Sequence, residues 1–86
     1  MKTVMHKVKC HNLKIDSVYF QEVVSGNKKF EIRFEDRDYN QGDFVVLHEC
    51  DEEKRVTGNT VQKRIGSVTD YEQKQCYVVF SLLDLV

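Results

Sequence analysis

Residues 25–33, S-G-N-K-K-F-E-I-R, concentrate the side chains in this sequence that could bind or act on a small polar molecule. From Lys29 to Phe34 polar and apolar residues alternate, and in a strand successive side chains point to opposite faces. Phe30, Ile32 and Phe34 are then expected in a core, with Lys29, Glu31 and Arg33 as one charged row on the other face. A row of cation, anion, cation suits a polar ligand. Arg presents a planar fork of donors, and Glu accepts hydrogens from amide or amine groups. Lys28, at the mouth of the strand, could contact a phosphate or serve as a general base. The same row also reads as a solvated strand face carrying an ordinary ion pair, the default outer face of an antiparallel sheet.

Other residues extend this set. His11, close to Lys14, could donate to a ligand or simply hydrogen-bond a loop backbone. Arg37, Asp38 and Tyr39 read as a loop overhanging the site, with Tyr39 as a flat surface for a base. The same loop could be held together by its own Asp side chains. The expected ligand contacts are therefore His11, Lys14, Lys28, Glu31, Arg33, Arg37 and Tyr39. There is no Ser–His–Asp pattern, no phosphate-cradling glycine loop and no carboxylate pair with divided acid and base roles. Cys10, Cys50 and Cys76 form no CxxC, and neither Cys10-His11 nor His48-x-Cys50 has a zinc-site spacing. Reduced cysteines are expected, with no metal and no cofactor.

These side chains must be positioned by a small scaffold. Eighty-six residues allow one domain, residues 1–86. So short a chain buries only about 60–65% of its unfolded surface, which favours a compact sheet over a layered α/β core. A hydrophobic content of 41% with 31% charged residues is globular rather than disordered. No apolar run approaches the roughly 20 residues of a bilayer span. The opening Met1–His6 has no signal-peptide core, so a cytoplasmic location without membrane contact is expected. Net charge is −1, which excludes the global basic footprint of many nucleic-acid binders. Its distribution is uneven. Residues 1–33 carry seven Lys/Arg against three Asp/Glu, residues 34–53 one against eight, and residues 54–86 five against three. An anion-binding surface would draw on the first third, and the acidic middle argues against long contact with a nucleic-acid backbone.

Along the chain, residues 7–15 read as a first strand, irregular or bulged near His11-Asn12 because Val8 and Cys10 fall on one face and Leu13 and Ile15 on the other. Asp16 or Ser17 can cap a two-turn helix over 18–24. Tyr19 with Val23, and Phe20 with Val24, make its apolar stripe. Gly26 or Asn27 ends it. The charged strand occupies 28–35, and residues 36–42 form a polar loop. Residues 43–50, D-F-V-V-L-H-E-C, read as a strand buried on both faces. Gly58-Asn59 reads as a turn after a charged excursion over 51–57. Residues 60–68 form a further strand with Val61 and Ile65 inward and Lys63 conspicuous between them. The last and strongest strand is 75–83, rich in β-branched and aromatic residues. An open sheet of this size would leave apolar edges, so closure is favoured. The expected fold is α+β, a small five-stranded β-barrel with one short helix after the first strand.

Gly26, Lys28, Glu31 and Arg33 match a G-x-K-x-x-E-x-R motif, and with it the chain resembles the ASCH domains of the PUA-like superfamily. It is most similar to short bacterial and phage proteins of unknown function in that group. The shared residues begin with His11, Leu13, Lys14 and Ile15, then Tyr19, Phe20, Gly42 and Asp43. They end with Thr69, Asp70, Tyr71, Gln73, Tyr77, Val78 and Val79. This resemblance, running from about His11 to Phe80, implies a PUA-like pseudobarrel with a cleft between helix and charged strand. It also implies a ligand among RNA or modified nucleosides. One branch hydrolyses an acyl amide on cytidine with a Lys, a Thr and a Glu. Lys28 falls at that Lys position, Glu31 occupies the Thr position, and the distant Glu has no expected counterpart.

The leading expectation is an RNA- or nucleotide-binding module rather than an enzyme. The alternative is a small amidohydrolase acting on N4-acylated cytidine, with Lys28 as its catalytic residue. The third is an accessory factor of a phage or mobile element that binds a protein partner. Phe30, Ile32, Val46, Val78 and Phe80 are expected to share one core.

Overall fold

The sheet is built from alternating rows whose inward members are mostly Leu, Ile, Val and Phe. A computed structural model describes residues 7–85. The opening hexapeptide, read above as lacking a signal core, lies outside the described residues. The elements are β1 (Cys10–Asp16), α1 (Ser17–Val24), β2 (Phe30–Phe34), β3 (Phe44–Cys50), β4 (Val56–Thr69) and β5 (Tyr77–Leu83). They form one sheet in the order β1-β3-β4-β5-β2, with β1 parallel to β3 and the other pairs antiparallel. The fold is α+β, five strands with one short helix after the first.

The sheet curls into a half-barrel rather than closing by a backbone ladder. Its two edge strands, β1 and β2, face each other across a gap, and arginines span it. Arg33 Nη2 donates to the Lys14 carbonyl at 2.8 Å, and Arg37 Nη1 to the Asn12 carbonyl at 2.8 Å. These two carbonyls lie two residues apart on β1, so both point the same way out of its free edge. The guanidinium groups thus satisfy an edge that would otherwise invite another strand.

The core joins Leu13 and Ile15 of β1, Phe20 and Val23 of α1, Val45 and Leu47 of β3, Ile65 of β4, and Val78, Phe80 and Leu82 of β5, with Tyr39 from the loop after β2. Of the five residues expected to share one core, two do so. Val78 and Phe80 are buried, but Val46 is only half-buried, and Phe30, Ile32 and Phe34 are 45%, 50% and 52% exposed. The alternation of β2 is as expected and its facing is inverted. Pairing with β5 sets Glu31 opposite Phe80 and Arg33 opposite Val78, on the inward side. Directly opposed residues share a face, so Glu31 and Arg33 turn inward and the apolar row outward, while Lys29, before the strand, stays exposed.

Three further expectations are corrected. β1 keeps an unbroken register with β3 from Cys10 to Asp16, without the bulge expected at His11-Asn12. His11 points inward with Leu13 and Ile15, because a buried carboxylate awaits it. In α1, Phe20 and Val23 are buried while Tyr19 and Val24 are exposed, so the contact stripe is i, i+3. Asp16 is the N-cap but makes no side-chain cap bond, its carboxylate meeting Lys54 at 2.7 Å. The turn before β4 is at residues 51–55 rather than at Gly58-Asn59. There the Asp51 side chain accepts the N–H groups of Glu53 and Arg55 at 2.9 and 3.0 Å. Such a local carboxylate bond mimics a backbone turn. Gly58, at φ +97, instead lies inside β4 beside the register shift between His48 and Cys50.

Among the described residues no helix is long and apolar enough to cross a membrane.

Candidate ligand cleft at the barrel opening

Where β1 and β2 fail to pair, the surface opens into a cleft of about 440 Å³. One wall is the end of β1 with Tyr19 of α1, and the other is β2 with Lys28 just before it, and Tyr77 beside it. Its polar centre is Glu31, a carboxylate only 4% exposed. Such a group is stable in a core only when its oxygens are paired. Arg33 Nε donates to Oε2 at 2.8 Å, and Lys28 Nζ donates to Oε1. Lys28 also donates to the Phe30 carbonyl at 2.7 Å. Arg33 spends its Nη2 on the Lys14 carbonyl, so the same guanidinium that organises the carboxylate also bridges the gap. The rim is aromatic. Lys28 Nζ lies 4.9 Å from the Phe30 ring centroid and 6.0 Å from that of Tyr19, within cation–π range. Phe34 and Tyr77 meet edge-to-face at 5.7 Å. A concave site with a few converging polar groups and aromatic walls is the usual form of a small-molecule site.

Residues 10–82 match the family described as a domain of unknown function (DUF3850). The chain belongs to this family. It is also similar to an uncharacterized 12.9 kDa protein in the GpA 3′ region of Escherichia phage P2, with 42% identity over 62 residues. That alignment takes in 72% of this chain and 56% of the phage protein, so the chain spans little more than half the length of that relative.

Within this DUF3850 domain the expected contacts divide into two groups. Lys14, Lys28, Glu31 and Arg33 line the cleft together. Arg37 lies further along the same gap, bound to the Asn12 carbonyl. His11 and Tyr39 belong to the core instead. His11 Nε2 meets Asp43 Oδ2 at 2.9 Å, both residues being buried, and the carboxylate partner assigns the ring proton to Nε2. Tyr39 does not overhang anything. It is buried between the rings of His11 and Phe80, each 4.9 Å away centroid to centroid, and offers no open face to a base. Burial pushes its phenol up from the ordinary value. Asp43 fastens this loop to β1, accepting the N–H groups of Lys9 and Asn40, each at 3.1 Å. Burial pushes the Asp43 carboxyl up, but the His11 ring and these N–H groups outweigh it and hold it below the usual range.

The sequence reading missed the aromatic rim and a further buried carboxylate, Glu49. Glu49 of β3 accepts Ser17 Oγ–H at 2.6 Å, Gln21 Nε2–H at 3.1 Å, Thr57 Oγ1–H at 2.8 Å and Asn59 Nδ2–H at 2.9 Å. These bonds, led by that from Ser17, lower its pKa to about 2. The signal was present: Glu49 continues the inward row of Val45 and Leu47, so an acid in that frame must find buried donors. Among the described residues no group of three or more His, Cys, Asp or Glu is arranged to hold a metal, and Cys10, Cys50 and Cys76 are free thiols.

Proposed function

We propose that this chain is a binding module for RNA or a nucleotide-sized ligand seated in the barrel opening. Lys28, Glu31 and Arg33 are its polar contacts and Tyr19 and Phe30 its stacking surfaces. The observation that carries this reading is the meeting of two cations, one carboxylate and an aromatic rim in one open cleft. Glu31 can accept hydrogens from an exocyclic amine, while the cations balance its charge. Stacking of a base on an aromatic ring contributes about 1–3 kcal/mol. The curled five-stranded sheet, with a helix after its first strand, supports placing the domain with the PUA-like pseudobarrels that the G-x-K-x-x-E-x-R motif resembles.

Lys28 favours binding over amide hydrolysis. Its ammonium donates to Glu31 and to the Phe30 carbonyl, whereas a general base offers a lone pair. The test is calorimetric titration with nucleosides, nucleotides and short single-stranded RNA at several salt concentrations. Few-phosphate contact predicts a log–log salt slope of about −2 to −3 for single strands. A much steeper slope contradicts a local site. Turnover of N4-acetylcytidine to acetate, lost in Lys28→Ala, makes the enzyme reading correct instead. A protein-partner reading draws on the outward row Phe30, Ile32 and Phe34. Ile32 also lines the cleft, so Glu31→Gln separates the two: it weakens nucleotide binding if the cleft is the site and leaves a partner held on the apolar row in place.

A further inference from the structure

A lysine occupies the inward row of β4. Lys63 stands between Val61 and Ile65, and its cross-strand neighbour is Val45, which is fully buried. Its side chain is only 15% exposed. The aliphatic stem can lie against apolar surface, but the ammonium must find water or an anion. It emerges in a second cavity, of about 240 Å³, lined by Val23, Lys28, Lys29, Leu82 and Asp84. Lys28 borders this cavity and the main cleft alike, so the two adjoin. Three lysines, Lys28, Lys29 and Lys63, therefore line one small space. The anion already there is Asp84, whose Oδ1 accepts from Lys63 Nζ at 2.6 Å. That carboxyl is held below its usual range by the hydrogen bond and charge of Lys63, and further by the charge of Lys29. Asp84 lies just beyond the end of β5 and is 82% exposed, so nothing in the ladder fixes its side chain in place.

We propose that this second cavity is a phosphate subsite, and that Asp84 is an intramolecular stand-in for the phosphate of a ligand whose base sits in the main cleft. This assignment rests on the nucleotide reading of that cleft. A phosphomonoester carries about −1.5 to −2 charges and three strong acceptor oxygens. It competes with a single carboxylate for Lys63 and Lys29, and Lys28 ties the phosphate to the base-binding side. The net effect is a site that prefers a phosphorylated nucleoside over the bare one. Asp84 weakens that preference by competition.

The test measures binding of cytidine, cytidine monophosphate and a cytidine dinucleotide to wild type, Asp84→Asn, Lys63→Gln and Lys63→Arg. Circular dichroism melting checks that each variant folds. Asp84→Asn should tighten the monophosphate by about three- to fivefold, the scale of one exposed ion pair, while leaving cytidine within about twofold. Lys63→Gln should erase the advantage of monophosphate over nucleoside, and Lys63→Arg should keep it. The dinucleotide arm separates a terminal phosphate from an internal phosphodiester as the natural group. Inorganic phosphate alone should shift the amide signals of Lys29 and Lys63 in Asp84→Asn. Cytidine and its monophosphate binding equally well to all variants would overturn the phosphate subsite while leaving the cleft reading intact. Binding of neither overturns both.

Discussion

Two buried glutamates, Glu31 and Glu49, are 4% and 5% exposed, yet they do opposite things. Glu49 is closed by four uncharged donors, two from α1 and two from β4, and these fill its acceptor sites. It ties the helix and the start of β4 to β3, and its bonds leave it nothing to offer a ligand. Glu31 is held by two cations from its own segment, both partly exposed and both lining an open cleft. The cluster around Glu31 carries one net positive charge, while that around Glu49 carries one net negative charge locked inside. Burial of a charge therefore does not by itself mark a site. What marks one is whether the groups that satisfy the charge reach solvent and keep hydrogen-bonding capacity of their own.

The largest effect is expected at Glu49. Glu49→Ala strands four donors, and the melting midpoint should fall by about 10 °C, the scale of a lost buried network in a domain this size. A fall of only a degree or two would show that the four bonds carry no stability. Next comes Glu31→Gln, which keeps the shape but removes the charge. It should weaken ligand binding by about 1–3 kcal/mol while shifting the melting midpoint far less than Glu49→Ala does. The reverse ranking in stability would make Glu31 the structural residue.

Acid sharpens the contrast. The Glu49 carboxyl has its pKa lowered from 4.5 to about 2 on folding, so its stabilisation is fully present above pH 4.5 and is lost as pH falls towards 2. Asp43, also lowered, contributes in the same sense. Melting midpoints measured from pH 6 to pH 2 should decline steeply in wild type and less steeply in Glu49→Gln. Equal slopes would mean that the bonds to Glu49 do not select its ionised form. The smallest effect is expected at Phe30→Ala. Because that ring is half in solvent, stability should change by about 1 kcal/mol or less, against the 3–5 kcal/mol typical of a buried Phe such as Phe80.

Much of this architecture was legible in the chain. The strands over 43–50 and 75–83, the helix between Asp16 and Gly26, and the alternation of residues 29–34 all follow from pattern. The facing of β2 was not, because alternation says that one row is inward without saying which. Hydrophobicity chose the Phe30 row. The choice was decided instead by pairing with β5, a contact far away in sequence, and by two cations that make a buried Glu31 tolerable. The apparent bulge at His11 had the same origin, since an inward histidine breaks the pattern only until Asp43 supplies its partner. Tyr39 was misplaced because a polar loop around an aromatic residue looks the same whether the ring covers a cleft or plugs a core. That Lys28, Glu31 and Arg33 meet in one cleft could be read from the chain because their spacing carries the geometry within six residues.

We propose that a ligand binds the gap between β1 and β2 and not the Glu49 cluster. Amide chemical shifts followed while the protein is titrated with cytidine monophosphate and with a short single-stranded RNA test this directly. Binding at the gap predicts that the largest shifts fall on residues 28–34, with Tyr19, Lys14 and Tyr77. Ser17, Glu49, Thr57 and Asn59 should stay still. Shifts centred on those four residues, or no shifts near Lys28 and Arg33 under saturating ligand, would contradict the account.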